Sequence, residues 1–156
     1  MNKSQIAPAA GAPVPVVEQL TKIMAHTYAL VVKTHGAHWN VRGPNFFGLH
    51  AAFEAQYQTL FLAVDELAER VRALGKNVPG SMAKLSALSN IEDIEKFDGE
   101  ALVRALRDDH RAIAQLCRDA IPGADEAHDE ATSDLLIKRK QDHDKTAWML
   151  SAQLGS

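Results

Sequence analysis

Hydrophobic residues recur every three or four positions along most of the chain, which is the spacing of an amphipathic α-helix. From about residue 16 to 40 the recurring positions are Val17, Leu20, Ile23, Met24, Leu30 and Val31. From about 45 to 74 they are Leu49, Phe53, Tyr57, Leu60, Val64, Leu67, Val71 and Leu74. Two more long helices are predicted over about 98–121 and 126–154. No stretch alternates with the period of a β-strand, so the pattern predicts an all-α protein.

Breaks in this pattern show where the helices end. VRGPN separates the first two helices, and Asn45 is predicted to cap the second. GKNVPGS ends the second helix, MAKLSALS predicts a short helix inside the following connection, and IPGA is predicted to end the third helix, which Asp98 caps. Four long helices with one long connection favour a four-helix bundle with a short helix in the crossover.

The ends of the chain and its overall composition narrow the class of protein. The first 15 residues are rich in Ala, Pro and Gly and predict a mobile arm, so that the folded domain spans 16–156. The 156 residues are 46% hydrophobic and 24% charged, with a net charge of −3 and a single cysteine, Cys117. No apolar run has membrane-spanning length and no secretory signal is recognisable, so a cytoplasmic location is expected.

Polar residues that can bind a metal form a narrow stripe on the second helix. Counted at about 100° per residue, His50, Glu54, Asp65 and Glu69 lie within about 100° of one another. However, Asp65 is fifteen residues from His50, or about 22 Å along the axis, so one ion cannot contact both in one chain.

Two such helices packed antiparallel across a two-fold axis would remove this difficulty. Phe61 lies within the stripe and Leu62 beside it, as expected for a contact surface. Each contact would then join His38 and His50 of one subunit to two carboxylates of its partner. Imidazole suits Fe(II) or Zn(II), and carboxylate tolerates Fe(III). The alternative is a solvated helix face on which Arg70 and Arg72 pair with the acids.

The sequence KTHGAHWNVRGPNFFGLHAAFEAQYQTLFLAVDELAERVRALG resembles the core of the Dps proteins, the mini-ferritins that protect DNA during starvation. DEATSDLLIKRKQDHDKTAWML resembles the last helix of that family. Together these resemblances cover about 16–150. No Glu is followed by His three residues later, which is the spacing that di-iron carboxylate bundles use within one subunit.

The resemblance implies a ferritin-like subunit in a hollow shell of twelve, with ferroxidase sites between subunits related by a two-fold axis. Such a protein oxidises Fe(II) to Fe(III), with hydrogen peroxide in preference to dioxygen, and stores the ferric mineral. The implied metal ligands are His38, His50, Asp65 and Glu69, with Glu54 at a position that is often acidic in the family. Trp39 matches the aromatic residue that is thought to take up an oxidising equivalent.

Acidic residues at the start of the last helix match the family's iron-entry pore at a three-fold axis. Asp134 fits that position best and Glu130 fits less well. The alternative is that these acids only compensate the helix dipole.

Direct DNA binding is expected to be weak or absent. The arm has only Lys3 before Lys22, and the terminal SAQLGS has no basic residue. Two alternative functions remain open at this point: a nucleoid-binding architectural protein with a vestigial metal site, and a shell that stores Zn(II) or Mn(II).

For the remaining histidines and the cysteine, the sequence gives less reason to expect a function. His35 can be read as a further ligand or as a partly exposed residue on the opposite edge of the helix. His26, His110 and His143 show no partner in the sequence pattern and are predicted to be surface or packing residues. Cys117 falls in an apolar register and is predicted to lie in the core.

Overall fold

The computed structural model describes residues 14–155, and this part of the chain forms five helices. They are α1 (Val14–Asn40), α2 (Phe46–Ala73), α3 (Met82–Leu88), α4 (Gly99–Glu126) and α5 (Glu130–Gln153). α1 packs along α2, α4 packs along α5, and α1 joins the two pairs, while the short α3 lies against α1. The predicted four-helix bundle with a short helix in the crossover is therefore confirmed. The predicted arm falls outside the described residues, except for Val14 and Pro15.

The core is built from the predicted apolar stripes. Leu20, Phe53, Leu67, Leu106 and Leu136 are among the fully buried side chains. Each such side chain contributes about 1.5–3 kcal/mol by leaving water. On α2 the predicted stripe is buried except for Tyr57 and Val64, which are half-buried. None of the described helices is long and apolar enough to cross a membrane.

Both predicted residues, Asp98 and Asn45, occupy N-cap positions, but only Asp98 caps its helix through the side chain. The carboxylate of Asp98 accepts the backbone N–H of Ala101 at 3.0 Å, so the predicted cap of α4 is confirmed. Asn45 precedes α2 in the left-handed conformation, with φ at 65°, and its side chain makes no capping hydrogen bond. The predicted cap position is therefore confirmed, but the side-chain hydrogen bond expected of a capping asparagine is absent. Asparagine tolerates this backbone conformation, which turns the chain from α1 into α2.

The end of α4 also differs from the prediction. The helix continues through Pro122 to Glu126, and α5 begins at Glu130 rather than near 126. Proline removes one backbone hydrogen bond, but Ala120 and Ala124 on either side are fully buried, so packing keeps this segment helical. Gly123 allows the close approach to α1, because a Cβ atom there would lie 3.3 Å from Cγ2 of Val16.

Candidate metal-binding site

The corner between α1 and α2 brings two histidines together. His38 lies in the last turn of α1 and His50 in the second turn of α2. Gly43 has φ at 97°, a left-handed conformation that favours glycine, and it lets the chain reverse within five residues. The buried Val41 holds this short connection against the core. The two imidazole rings consequently stack, with centroids 3.7 Å apart and an interplanar angle of 23°.

Two reciprocal hydrogen bonds fix the orientation of these rings. Nδ1 of His38 lies 2.8 Å from the carbonyl oxygen of His50, and Nδ1 of His50 lies 2.8 Å from the carbonyl oxygen of His38. A carbonyl oxygen only accepts, so both Nδ1 atoms carry a hydrogen and donate it. In the neutral rings the lone pairs are then on the two Nε2 atoms. This is the arrangement by which proteins orient histidine metal ligands.

Aromatic rings surround the pair and restrict its motion. Phe46 stacks on His50, with centroids 5.1 Å apart. Tyr57 meets His38 edge-on at 5.5 Å. The ring of His35 lies between Tyr57 and Trp39, at 4.1 Å and 4.0 Å. His35 is partly exposed as expected, but its placement on an opposite edge is wrong, because it joins the predicted redox residue Trp39 to the site.

This aromatic contact was not predicted from the sequence. His35 and Trp39 are four residues apart on α1, a spacing at which helical side chains touch, and this could have indicated their contact. The position of Tyr57 beside them depends on how α2 packs on α1. Trp39 itself is 66% exposed, so one face of the aromatic group is open to solvent or to a partner subunit.

The acidic candidates are exposed and do not join the histidines within one chain. Asp65 and Glu69 lie fifteen and nineteen residues beyond His50 on the same continuous helix. Glu54 lies one turn from His50, also exposed. Within residues 14–155, none of these three carboxylates has a hydrogen bond or an ion pair to another side chain, and no group of three or more potential metal ligands forms. A single chain thus supplies two parts of a donor set at two ends of one face.

The alternative in which arginines neutralise these acids is wrong. Arg70 donates from Nε to the hydroxyl of Thr132 at 2.7 Å and from Nη2 to Asp129 at 2.5 Å. Arg72 donates to the carbonyl oxygen of Lys76 and to the side chain of Asn77. Both guanidinium groups point away from the polar stripe.

Large apolar side chains lie exposed between the two parts of the donor set. Phe61 is 56% exposed and Leu62 is 67% exposed. Adjacent apolar side chains of this size on a helix surface are typical of a protein interface. Their position agrees with the predicted contact between two copies of α2.

The start of α5 presents the predicted pore residues to solvent. Glu130 and Asp134 are exposed, one helical turn apart. Their neighbour Asp129 has a structural role instead, since it caps α5 by accepting the backbone N–H of Thr132 and pairs with Arg70. Burial alone would raise the pKa of the Asp129 carboxyl, but the bonds from Thr132 and Arg70 lower it overall.

The remaining candidates are buried packing residues. His26 donates from Nδ1 to the carbonyl oxygen of Lys22 and accepts the backbone N–H of Asn90 at Nε2, which joins the long connection to α1. His110 and His143 were predicted to have no partner, and this is wrong, because they bond to each other across α4 and α5. Burial raises the pKa of Cys117 to about 12, which agrees with its predicted place in the core.

Comparison with known proteins identifies relatives over almost the whole chain. The family model described as a ferritin-like domain matches residues 17–156. General stress protein 20U of Bacillus subtilis is 36% identical over 141 residues, which cover 90% of this chain and 97% of that protein. DNA protection during starvation protein 2 of Bacillus anthracis is 35% identical, with the same coverage of both chains.

Solved structures give the same result. The Dps protein of Vibrio cholerae O1, described as a member of the ferritin-like diiron-carboxylate superfamily, superposes with a TM-score of 0.86 at 33% identity. The match covers 89% of this chain and 88% of that one. At this identity and coverage the similarity extends to sequence as well as fold.

Proposed function

The chain belongs to the Dps family of ferritin-like proteins, and on that premise we propose that it is a ferroxidase that oxidises Fe(II) and stores the ferric product. The observation that carries the proposal is the reciprocal hydrogen bonding of His38 and His50. It leaves two Nε2 lone pairs side by side at one end of an exposed face. The other end of that face holds carboxylates that have no side-chain partner in the described part of the chain.

The complete site is assembled from two subunits. Across a two-fold axis, antiparallel α2 helices bring His38 and His50 of one subunit to Asp65 and Glu69 of its partner. Glu54, one turn from His50, supplies a further carboxylate. Phe61 and Leu62 fill the contact between the two ends, which removes them from water. In this arrangement the subunits form a closed homo-oligomeric shell, as the family resemblance implies for a dodecamer.

The donor set suits iron as a substrate that changes its oxidation state. Imidazole nitrogen suits Fe(II) and carboxylate oxygen tolerates Fe(III), so the same donor set can hold iron in both oxidation states. Hydrogen peroxide is the preferred oxidant, since one molecule accepts one electron from each of two Fe(II) ions. Trp39, in contact with His35, donates an electron when only one Fe(II) is present. Removing iron and peroxide together protects DNA without any contact with it.

Iron oxidation under anaerobic conditions tests this function. Fe(II) is added to the iron-free protein, peroxide or dioxygen is supplied separately, and the ferric product is followed by absorbance. Iron that remains with the protein after gel filtration measures storage. We expect rapid oxidation with peroxide, and loss of most of that rate in His50→Ala. His128→Asn is the matched control, because it changes an exposed histidine away from the site and asparagine tolerates the left-handed backbone at this position, with φ at 53°. Equal rates in all three proteins would refute the proposal.

A further inference from the structure

The exposed face of α2 carries an uncharged polar side chain, Gln58, between its two ligand-bearing ends. Counted at about 100° per residue, Gln58 lies about 80° from His50 and about 20° from Asp65, close to the middle of the polar stripe. Its side chain is exposed, and no hydrogen bond joins its amide to another described residue. Phe61 and Leu62, 56% and 67% exposed, follow about one turn later. An amide beside such apolar side chains needs a hydrogen-bonding partner once this face is buried.

The contact between two copies of α2 determines which residues face each other. This contact rests on the proposed function, in which His50 of one subunit meets Asp65 and Glu69 of its partner. In an antiparallel pair related by a two-fold axis, the axis lies at the level midway between residues that face each other. The midpoints between position 50 and positions 65 and 69 are at about 57.5 and 59.5. Gln58 lies on the stripe within that interval, whereas Thr59 lies about 180° from His50.

We propose that Gln58 lies at this two-fold axis and pairs with Gln58 of the partner subunit through two hydrogen bonds. The side-chain amide has a carbonyl oxygen that accepts and an NH₂ group that donates. Two copies of it, related by a two-fold axis, are therefore complementary, because each nitrogen donates to the oxygen of the other. A second copy of this chain is thus the partner that this face fits.

This pair makes Gln58 a positioning residue for the shared metal site. A slip of the two helices by one turn, about 5.4 Å, would place each amide opposite Leu62 in one direction or opposite the carboxylate of Glu54 in the other. Neither side chain can donate a hydrogen bond to the amide oxygen. The same slip would move His50 along the axis from Asp65 by a similar distance. A polar residue between packed helices fixes their register in this way.

The sizes of neighbouring side chains agree with this register. An axis between positions 58 and 58.5 places Leu62 opposite positions 54 to 55 of the partner subunit. Of these, Ala55 lies on the same side of the stripe as Leu62, about 20° from it, and is exposed. A large apolar side chain therefore meets a small one, which lets the two helices approach closely.

Disulfide cross-linking of the assembled, iron-free protein tests the register. Facing Cα atoms of two packed helices are about 4–6 Å apart, which a disulfide can span. After oxidation with diamide, Gln58→Cys should form a covalent dimer on a non-reducing gel. Leu62→Cys is the matched control, because its two copies are at least about 10 Å apart along the axes and should not link. Wild type, whose single cysteine is buried, shows the background.

A covalent dimer of Leu62→Cys and none of Gln58→Cys would overturn the register. If neither variant links while light scattering shows an assembled protein, the two copies of Gln58 do not meet. Fe(II) oxidation by wild type is measured separately. Activity of wild type without a Gln58→Cys dimer would overturn the register but not the ferroxidase, whereas a dimer of Gln58→Cys with inactive wild type would refute the ferroxidase alone.

Exchange of charges tests the contact between the two side chains at position 58. Gln58→Glu and Gln58→Lys should each need at least about tenfold more protein than wild type for half-assembly, because like charges meet at the axis. Refolded together in equal amounts, the two variants should assemble almost as wild type does, since unlike charges then meet. Assembly of either variant alone at the wild-type concentration, or no recovery on mixing, would overturn the pairing of Gln58 with its copy.

Discussion

Nη2 of Arg70 lies 2.5 Å from Oδ1 of Asp129, so the guanidinium that follows Glu69 on α2 is bound to the start of α5. Arg70 also donates to the hydroxyl of Thr132. The same residue therefore stabilises the contact between two helices, and within residues 14–155 no cation pairs with the acidic end of the polar stripe. Carboxylates without such a cation are available to bind a metal ion together with a second subunit.

Complementation between two inactive variants tests whether the site is shared. His50→Ala retains Asp65 and Glu69, and Asp65→Ala retains His38 and His50. Each variant alone should lose most of its rate of Fe(II) oxidation. After unfolding and refolding together in equal amounts, half of the two-fold contacts are mixed and one of two sites in each is intact, so about a quarter of the wild-type rate should return.

The control for complementation is the same pair of variants refolded separately and then mixed. It should show no recovery, because subunits have not exchanged. If the co-refolded sample also shows none while wild type refolded in parallel is active, the ligands act within one chain and the shared site is wrong.

A charge at Phe61 should separate the subunits. Phe61→Glu places a carboxylate in the apolar part of the proposed two-fold contact, where burying an unpaired charge is costly. We expect both a smaller assembly by light scattering and loss of ferroxidase activity. Ala73→Glu, which adds the same charge at the exposed end of α2, should affect neither. A monomeric Phe61→Glu protein with full activity would exclude an interface site.

The sequence was sufficient for features that depend on helical periodicity. The apolar stripe from Leu49 to Leu74 predicted which face of α2 is buried. The distance from His50 to Asp65 led to the prediction of a site shared by two subunits, which stays a prediction. The sequence was insufficient where two helices meet. The bond between His110 and His143 joins residues 33 positions apart, and only the packing of α4 on α5 brings them together.

Local rules also failed where packing outweighs them. Proline and glycine at 122 and 123 predicted a helix end, yet α4 continues because the alanines beside them are buried in the core. The reciprocal bonds of His38 and His50 depend on the left-handed backbone at Gly43 and Asn45. The sequence indicates a turn at these residues but not the geometry that brings the two rings together.

Asp134 should govern the entry of iron and not its oxidation. It is exposed on the first turns of α5, far along the chain from the histidines and unpaired among the described residues. Asp134→Asn removes one negative charge from each chain. A pore at a three-fold axis would therefore lose three of the charges that attract Fe(II). We expect slower iron uptake at limiting Fe(II), with the difference shrinking at high salt. Asp125→Asn near the end of α4 is the matched control; equal uptake by both variants would count against the pore.

The buried histidine pair should make stability depend on pH. Burial lowers the pKa of His143 to about 4. Burial is also the main cause that lowers the pKa of His110, and the nearby His143 lowers it further. The unfolded chain takes up protons near pH 6.5, whereas the folded chain excludes them until a lower pH. The free energy of unfolding should thus be highest above about pH 6.5 and should fall by roughly 3 kcal/mol for His143 as the pH approaches 4.

Urea unfolding between pH 7.5 and 4.5 measures this effect. His143→Gln keeps a hydrogen-bonding side chain next to His110 but cannot take up a proton, so its stability should decline less steeply with falling pH. The stability of His128→Asn, a change at an exposed position with φ of 53°, should fall with pH as steeply as that of wild type. Parallel curves for wild type and His143→Gln would show that other groups cause the acid sensitivity.

Direct binding to DNA should be weak, because the one basic cluster in the last helix is neutralised. Lys138 pairs with Glu66 at 3.2 Å, Arg139 is buried with Asp142, and Lys140 pairs with Asp144 at 2.5 Å. With a net charge of −3 per chain, a shell of such subunits repels phosphate at long range. A mobility-shift titration should show little complex at about 50 mM salt and none at about 200 mM. Tight binding at the lower concentration that disappears at the higher one is the signature of several phosphate contacts, and it would reveal a basic surface formed by the assembly.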